Sequence, residues 1–168
     1  MKQLTIKEIK DGYEDERYSG LSLKETLDGR IPPYRIYVIK GDGCILYVGK
    51  SQDAIVRMES HVGKGMWVGF FGSHLDYLLI TKQANDYTVD FYDEDEVRVL
   101  YRYNPLFTSM DRMVGSVEEQ MIFDLAPVFN IINNNSGKRE NKDRWYEMHP
   151  DPDIDFSDSL LSFVDSIL

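Results

Sequence analysis

The chain has 168 residues, 42% of them hydrophobic, which suffices for one buried core with appendages but not for several domains. Its formal charge of −10 disfavours a protein that grips polyanions over a broad basic surface, and its single cysteine, Cys44, rules out an internal disulfide and makes a poor metal site. No run approaches the length of a membrane span and the opening residues lack the apolar core of a signal peptide, so a soluble, cytoplasmic α/β or α+β protein with no membrane partner is expected.

Residues 1–32 read as a leader. Ser22 and Glu25 offer a capping box for a short helix through Leu27, closed by Gly29 and then by Pro32 and Pro33, which feed a first strand at Tyr34. Two apolar, β-branched runs follow, 35–40 and 44–48, separated by Gly41, Asp42 and Gly43. The two glycines suit the positive φ of a hairpin loop. With Lys40 facing Cys44, Tyr37 would stand directly opposite Tyr47, the Cβ atoms about 5 Å apart on one face. Cys44 is then a packing residue at the strand end. After Gly49, Ser51 or Asp53 can cap a helix with the apolar stripe Ala54, Ile55, Met58 and Val62, and Arg57 and His61, four apart, share one of its faces.

Beyond His61 lies a glycine-punctuated loop with Trp67, Phe70 and Phe71. Beside Lys64 these aromatics suit base stacking or a groove wedge, while their plainer reading is a cap on the core. Residues 74–81 read as a central strand through Leu78, Leu79 and Ile80, and 88–92 alternate as another. The acidic run 93–96 reads as a solvated helix start rather than a metal site, because adjacent carboxylates diverge from any regular backbone. Residues 97–103 fit either helix or strand and end at Asn104 and Pro105.

Gly115 and Ser116 are expected to open the last core helix, with Ser116 as N-cap and Glu119 closing a capping box. Glu118 instead shares the apolar face of Met121, Ile122 and Leu125, where a carboxylate must be paired or coordinate a cation. Pro127 stops this helix and Asn130 follows in an extended segment. Residues 133–142 read as a polar linker. The acidic end places Phe156, Leu160, Phe163 and Ile167 on one helical face, suited to docking on the domain, to dimerisation, or to plugging a basic cleft.

Ile36 and Tyr37, then Tyr47, Val48 and Gly49, then Arg57 ten residues after Tyr47, form the first half of a pattern whose second half is Glu118, Met121, Ile122, Pro127 and Asn130. Over residues 33–132 this resembles the GIY-YIG nuclease family, with Arg35 standing where the family has its first glycine. The resemblance implies a compact domain over 33–135, between the leader 1–32 and a tail over 136–168. Its fold would be a small, mixed, mainly antiparallel sheet of about three to five strands flanked by helices. It implies an endonuclease that hydrolyses phosphodiester bonds in DNA, less readily RNA, with Mg²⁺ or Mn²⁺ as cofactor.

In that resemblance Tyr37 takes the proton from water, Tyr47 bonds phosphate or positions water, and His61 is a helper. Arg57 offers a planar fork to phosphate oxygens, and Glu118 supplies a hard oxygen ligand to the metal. Lys50 is expected to depress the pKa of Tyr37, and Asn130 to hold Glu118 or Tyr37. Arg35, Lys40, Lys64 and Trp67 are the nucleic-acid contacts, since local field can differ from net charge. A homodimer would bring one active site to each strand. The rival readings are a catalytically silent nucleic-acid-binding or regulatory module, and an acidic protein-interaction protein.

Overall fold

A computed structural model describes residues 1–19, 33–63, 73–104, 106, 108–130 and 140–150. Four strands form one antiparallel sheet in the order β1-β4-β2-β3, with β1 at Lys2–Thr5, β2 at Tyr34–Gly41, β3 at Cys44–Lys50 and β4 at Thr88–Asp93. The small antiparallel sheet flanked by helices agrees with the fold class read from the residues. β1, within the segment read as a leader, pairs with β4 along the far edge. The leader helix expected near Ser22 lies outside the described residues.

The β2–β3 hairpin departs from its expected register. Gly41 pairs with Cys44, so the loop is two residues long, and the positive φ values fall on Asp42 (50°) and Gly43 (69°), as a tight primed turn demands. Gly41 is needed for another reason: a Cβ there would lie 2.6 Å from the ring of Tyr87. Leu46 is then an extra residue, a bulge between the pairs Ile39–Tyr47 and Lys40–Ile45. Shorter loop and bulge together leave Tyr37 opposite Gly49, not opposite Tyr47. Cys44, 2% exposed, is a strand-end packing residue as expected.

The sheet buries both faces. Against one lie α1 (Ile6–Ser19), α2 (Ala54–Met58, continued by a π-helical turn over Glu59–Gly63) and α3 (Ser73–Ile80), closing a core of Ile9, Tyr37, Ile39, Leu46, Ile55, Met58, Leu79 and Phe91. Against the other lie α4 (Glu94–Leu100) and α5 (Met110–Leu125), which cover Ile36, Val38 and Val48 with Val97, Val114 and Val117. Residues 74–81 are thus helical where a strand was expected. A short apolar run has no period of its own, and burial of Leu75 and Leu79 fits a helix packed on a sheet as well as a central strand.

The acidic run does open a helix. Asp93 caps α4, accepting from the Glu96 amide while the Glu96 carboxylate accepts from the Asp93 amide. α5 begins at Met110, so Ser116 and Glu119 lie within the helix and form no capping box at its start. The helix ends on Ala126, held left-handed at φ 47°. α6 (Glu140–Met148), in a stretch read as linker and tail, sends Trp145 fully into the first core, edge-on to Tyr87 and Phe129. The acidic end beyond residue 150 lies outside the described residues. No helix among the described residues is long and apolar enough to cross a membrane.

Candidate active site

β3 is an edge strand, and the segment after α5 covers its open side. The Val128 amide donates to the Ile45 carbonyl and the Phe129 amide to the Leu46 carbonyl. Asn130 finishes the row with its side chain, accepting from the Val48 amide and donating to the Val48 carbonyl, both at 2.8 Å. This overturns the expectation that Asn130 holds Glu118 or Tyr37. Its amide mimics a peptide group and fixes the end of β3, where Tyr47, Gly49 and Lys50 sit.

The tyrosines meet without facing each other. Gly49, two residues beyond Tyr47, is the residue across from Tyr37, so the phenols are diagonal neighbours within aromatic reach. Their rings stack at 6.1 Å and 26°. A Cβ on Gly49 would lie 2.5 Å from Cζ and Oη of Tyr37 and 2.8 Å from Cε1 of Tyr47, so glycine is what lets one phenol lie across the strand beside the other.

Arg57 reaches this pair from α2. Its guanidinium donates to the Tyr37 hydroxyl and draws that phenol toward ionisation. Burial opposes it more strongly: Tyr37 is 1% exposed, and desolvation, then the neighbouring Tyr47, hold its pKa well above the ordinary phenol value. The expected depression by Lys50 is therefore corrected, because loss of water outweighs the available positive charge. Tyr47 is likewise raised by desolvation, and next by the carboxylate of Glu118. Glu118 also raises Tyr37, so one carboxylate acts on both phenols.

Glu118 stands on α5 with its side chain only 14% exposed, and its Oε2 lies 2.7 Å from Nζ of Lys50. Lys50 is thereby assigned to the carboxylate rather than to Tyr37. Glu119, next along, is exposed. His61, 6% exposed in the π-helical turn, is lowered from its ordinary 6.5 to about 4 by burial and then by Arg57. It is a neutral imidazole at pH 7.

The expected nucleic-acid contacts fare differently. Arg35 bulges out of the β2–β4 ladder between Tyr34 and Ile36. Its guanidinium, 7% exposed, grips Glu94 at 2.7 Å, Asp111 and the Ser51 carbonyl at 3.2 Å. It ties the starts of α4 and α5 to the sheet instead of facing outward. Lys40 bonds the fully buried Asp90, which also accepts from Gln3 at 2.6 Å. Lys64 and Trp67 lie outside the described residues.

The sequence reading missed two groups. Asp76, 3% exposed on α3, raises the Tyr47 pKa from the side away from Glu118's helix, and Glu59, 5% exposed, lies two residues before His61. Asp76 was hidden by the strand reading of 74–81, a run too short to carry a period that marks a helix.

A divalent cation fits the carboxylate that is present. Glu118 is shielded, negative and set against two phenols, and it already holds one positive group. Among the described residues no group of three His, Cys, Asp or Glu side chains converges. A cation at Glu118 would therefore take this one carboxylate as its ligand among the described side chains and draw the rest of its shell from water. Comparison with known proteins adds no neighbour, since no family model, curated protein or solved structure matches the chain.

Proposed function

We propose that the chain is a GIY-YIG-type endonuclease that hydrolyses DNA phosphodiesters with Mg²⁺ or Mn²⁺. The observation that carries this reading is the convergence of four residues from four elements. Tyr37 and Tyr47 stack, Arg57 bonds Tyr37, and Glu118 acts electrostatically on both phenols. Tyr37 and Glu118, 81 positions apart in sequence, come near enough for the carboxylate to act on the phenol, which supports the reading.

Arg57, exposed on α2, presents its fork to phosphate oxygens and steadies the charge that grows on phosphorus. Tyr47, partly buried, orients water or phosphate through its hydroxyl. In its phenolate form Tyr37 would accept the proton of the attacking water; burial holds the phenol protonated, so that form requires Arg57 together with a cation bound at Glu118 to outweigh desolvation. His61, neutral at pH 7, relays or accepts a proton beside them. Glu118 binds the cation, and a cation there supplies positive charge to the phosphate and to the departing oxygen.

Cleavage of supercoiled plasmid with Mg²⁺ tests the reading. Wild type and Glu119→Gln are expected to nick it, with Glu118→Gln slower by roughly 10²–10³-fold, the scale for losing one electrostatic contact to the transition state. A wild-type protein inert on several DNA and RNA substrates would sink it.

A second reading draws on a specific observation. Arg35, Lys40 and Lys50 are all ion-paired within the fold, which leaves less positive charge for a nucleic acid. This favours the reading of an acidic protein-interaction protein. Absence of any DNA or RNA binding at low salt, with a protein partner recovered instead, would support it.

A further inference from the structure

We infer that Lys50 is a built-in competitor for the cation at Glu118, so that the enzyme's metal affinity is set by an ammonium that the metal has to move. The inference rests on the reading of Glu118 as the metal ligand. Three observations carry it. The Lys50 ammonium lies 2.7 Å from Oε2 of a carboxylate that is only 14% exposed, so it sits inside the coordination sphere that a cation would need. The lysine stem is 48% exposed at the end of an edge strand, free on its solvent side to swing away. The third is on the opposite helix, where Gly115 leaves room: a Cβ there would still lie 3.7 Å from Nζ, so the ammonium is not wedged in place.

Two cations cannot share one carboxylate at this range without strong repulsion, because the site is partly desolvated. Lysine suits such a role. Its ammonium is a compact point charge on a flexible stem, and it can exchange one anion for another as it swings. A phosphodiester entering beside Arg57 offers it that second anion. Metal and substrate would then help each other bind, since each takes one partner of the Lys50–Glu118 pair.

Binding of Tb³⁺, a hard oxygen-seeking probe excited through nearby tyrosine, reads the site without reference to cleavage. Mg²⁺ is then used to compete it off, and the Glu118→Gln protein gives the signal to subtract from the many surface carboxylates. Lys50→Met is expected to bind Mg²⁺ at the Glu118-dependent site roughly five- to tenfold more tightly than wild type, the scale of a half-exposed ion pair plus the repulsion it imposes. Lys50→Arg, which keeps the charge, is expected to stay within about twofold of wild type. Equal affinity in wild type and Lys50→Met, or weaker affinity in the variant, would overturn the competition while leaving Glu118 as the ligand. Absence of any Glu118-dependent signal in either protein would remove the metal site itself and the inference with it.

Discussion

Gly49 stands directly across the ladder from Tyr37, and a methyl group on Gly49 would reach within 2.5 Å of the phenol oxygen. Gly49→Ala is therefore expected to cost about 1–3 kcal/mol, as overpacking of a closed site does, and to part the stacked tyrosines. Urea unfolding gives the loss. Adding Tyr37→Leu shortens the side chain that is struck, so the double variant should be less destabilised than the sum of the two singles. Strict additivity would show that this contact is not the cause.

Arg35 is expected to act on stability rather than on nucleic-acid affinity. Arg35→Ala leaves the Glu94 and Asp111 carboxylates without their shared guanidinium and opens a gap beside Ser51. Glu94 and Asp111 are 27% and 72% exposed, so water takes over much of their solvation and the loss should be about 1–3 kcal/mol, below that of a fully buried pair. The dependence of DNA affinity on salt should keep its slope. A shallower slope with unchanged stability would restore Arg35 as a phosphate contact.

The residues that the sequence made legible are those whose local pattern and long-range partner agree. The β-branched runs on either side of Asp42 and Gly43 could only be a hairpin, and Glu118 was marked by lying on an apolar helix face. The register was not legible. A bulge such as Leu46 adds one residue without a signal of its own, and the shorter loop, which shifts the register one residue further the same way, depends on Asp42 accepting a positive φ. The partners of charged side chains were hidden for a different reason. Arg35, Lys40 and Asn130 look like surface groups until the chain brings Glu94, Asp90 and the Val48 backbone to them from far along the sequence. The α3 segment was hidden for a third reason, because neither the period nor the burial of so short an apolar run tells a helix packed on the sheet from a central strand.

Asn130 should prove a backbone clip. Its amide gives the Val48 N–H and carbonyl the partners that another strand would give them, so Asn130→Asp swaps a donor for a second acceptor facing that carbonyl. A loss of about 1–3 kcal/mol is expected, the cost of an unsatisfied buried polar group. Hydrogen exchange at the Val48 amide localises the effect, and it should quicken in Asn130→Ala more than at neighbouring strand amides. Unchanged protection at Val48 would argue that the clip is not formed in solution.

His61 should make stability depend on pH over a defined window. Burial and Arg57 lower its pKa from 6.5 to about 4, so between those values the unfolded chain holds a proton that the folded protein refuses. The contribution is fully present above pH 6.5 and is lost as pH falls toward 4, amounting to roughly 3 kcal/mol in all. His61→Gln removes this term and should flatten the upper part of the acid limb, where the carboxylates have not yet begun to protonate. Urea unfolding of both proteins at pH 7, 6 and 5 tests it; parallel declines would mean that His61 titrates alike in the folded and unfolded states. An NMR titration of the ring gives an independent check, since a midpoint near 6.5 would place the imidazole in water rather than behind Arg57.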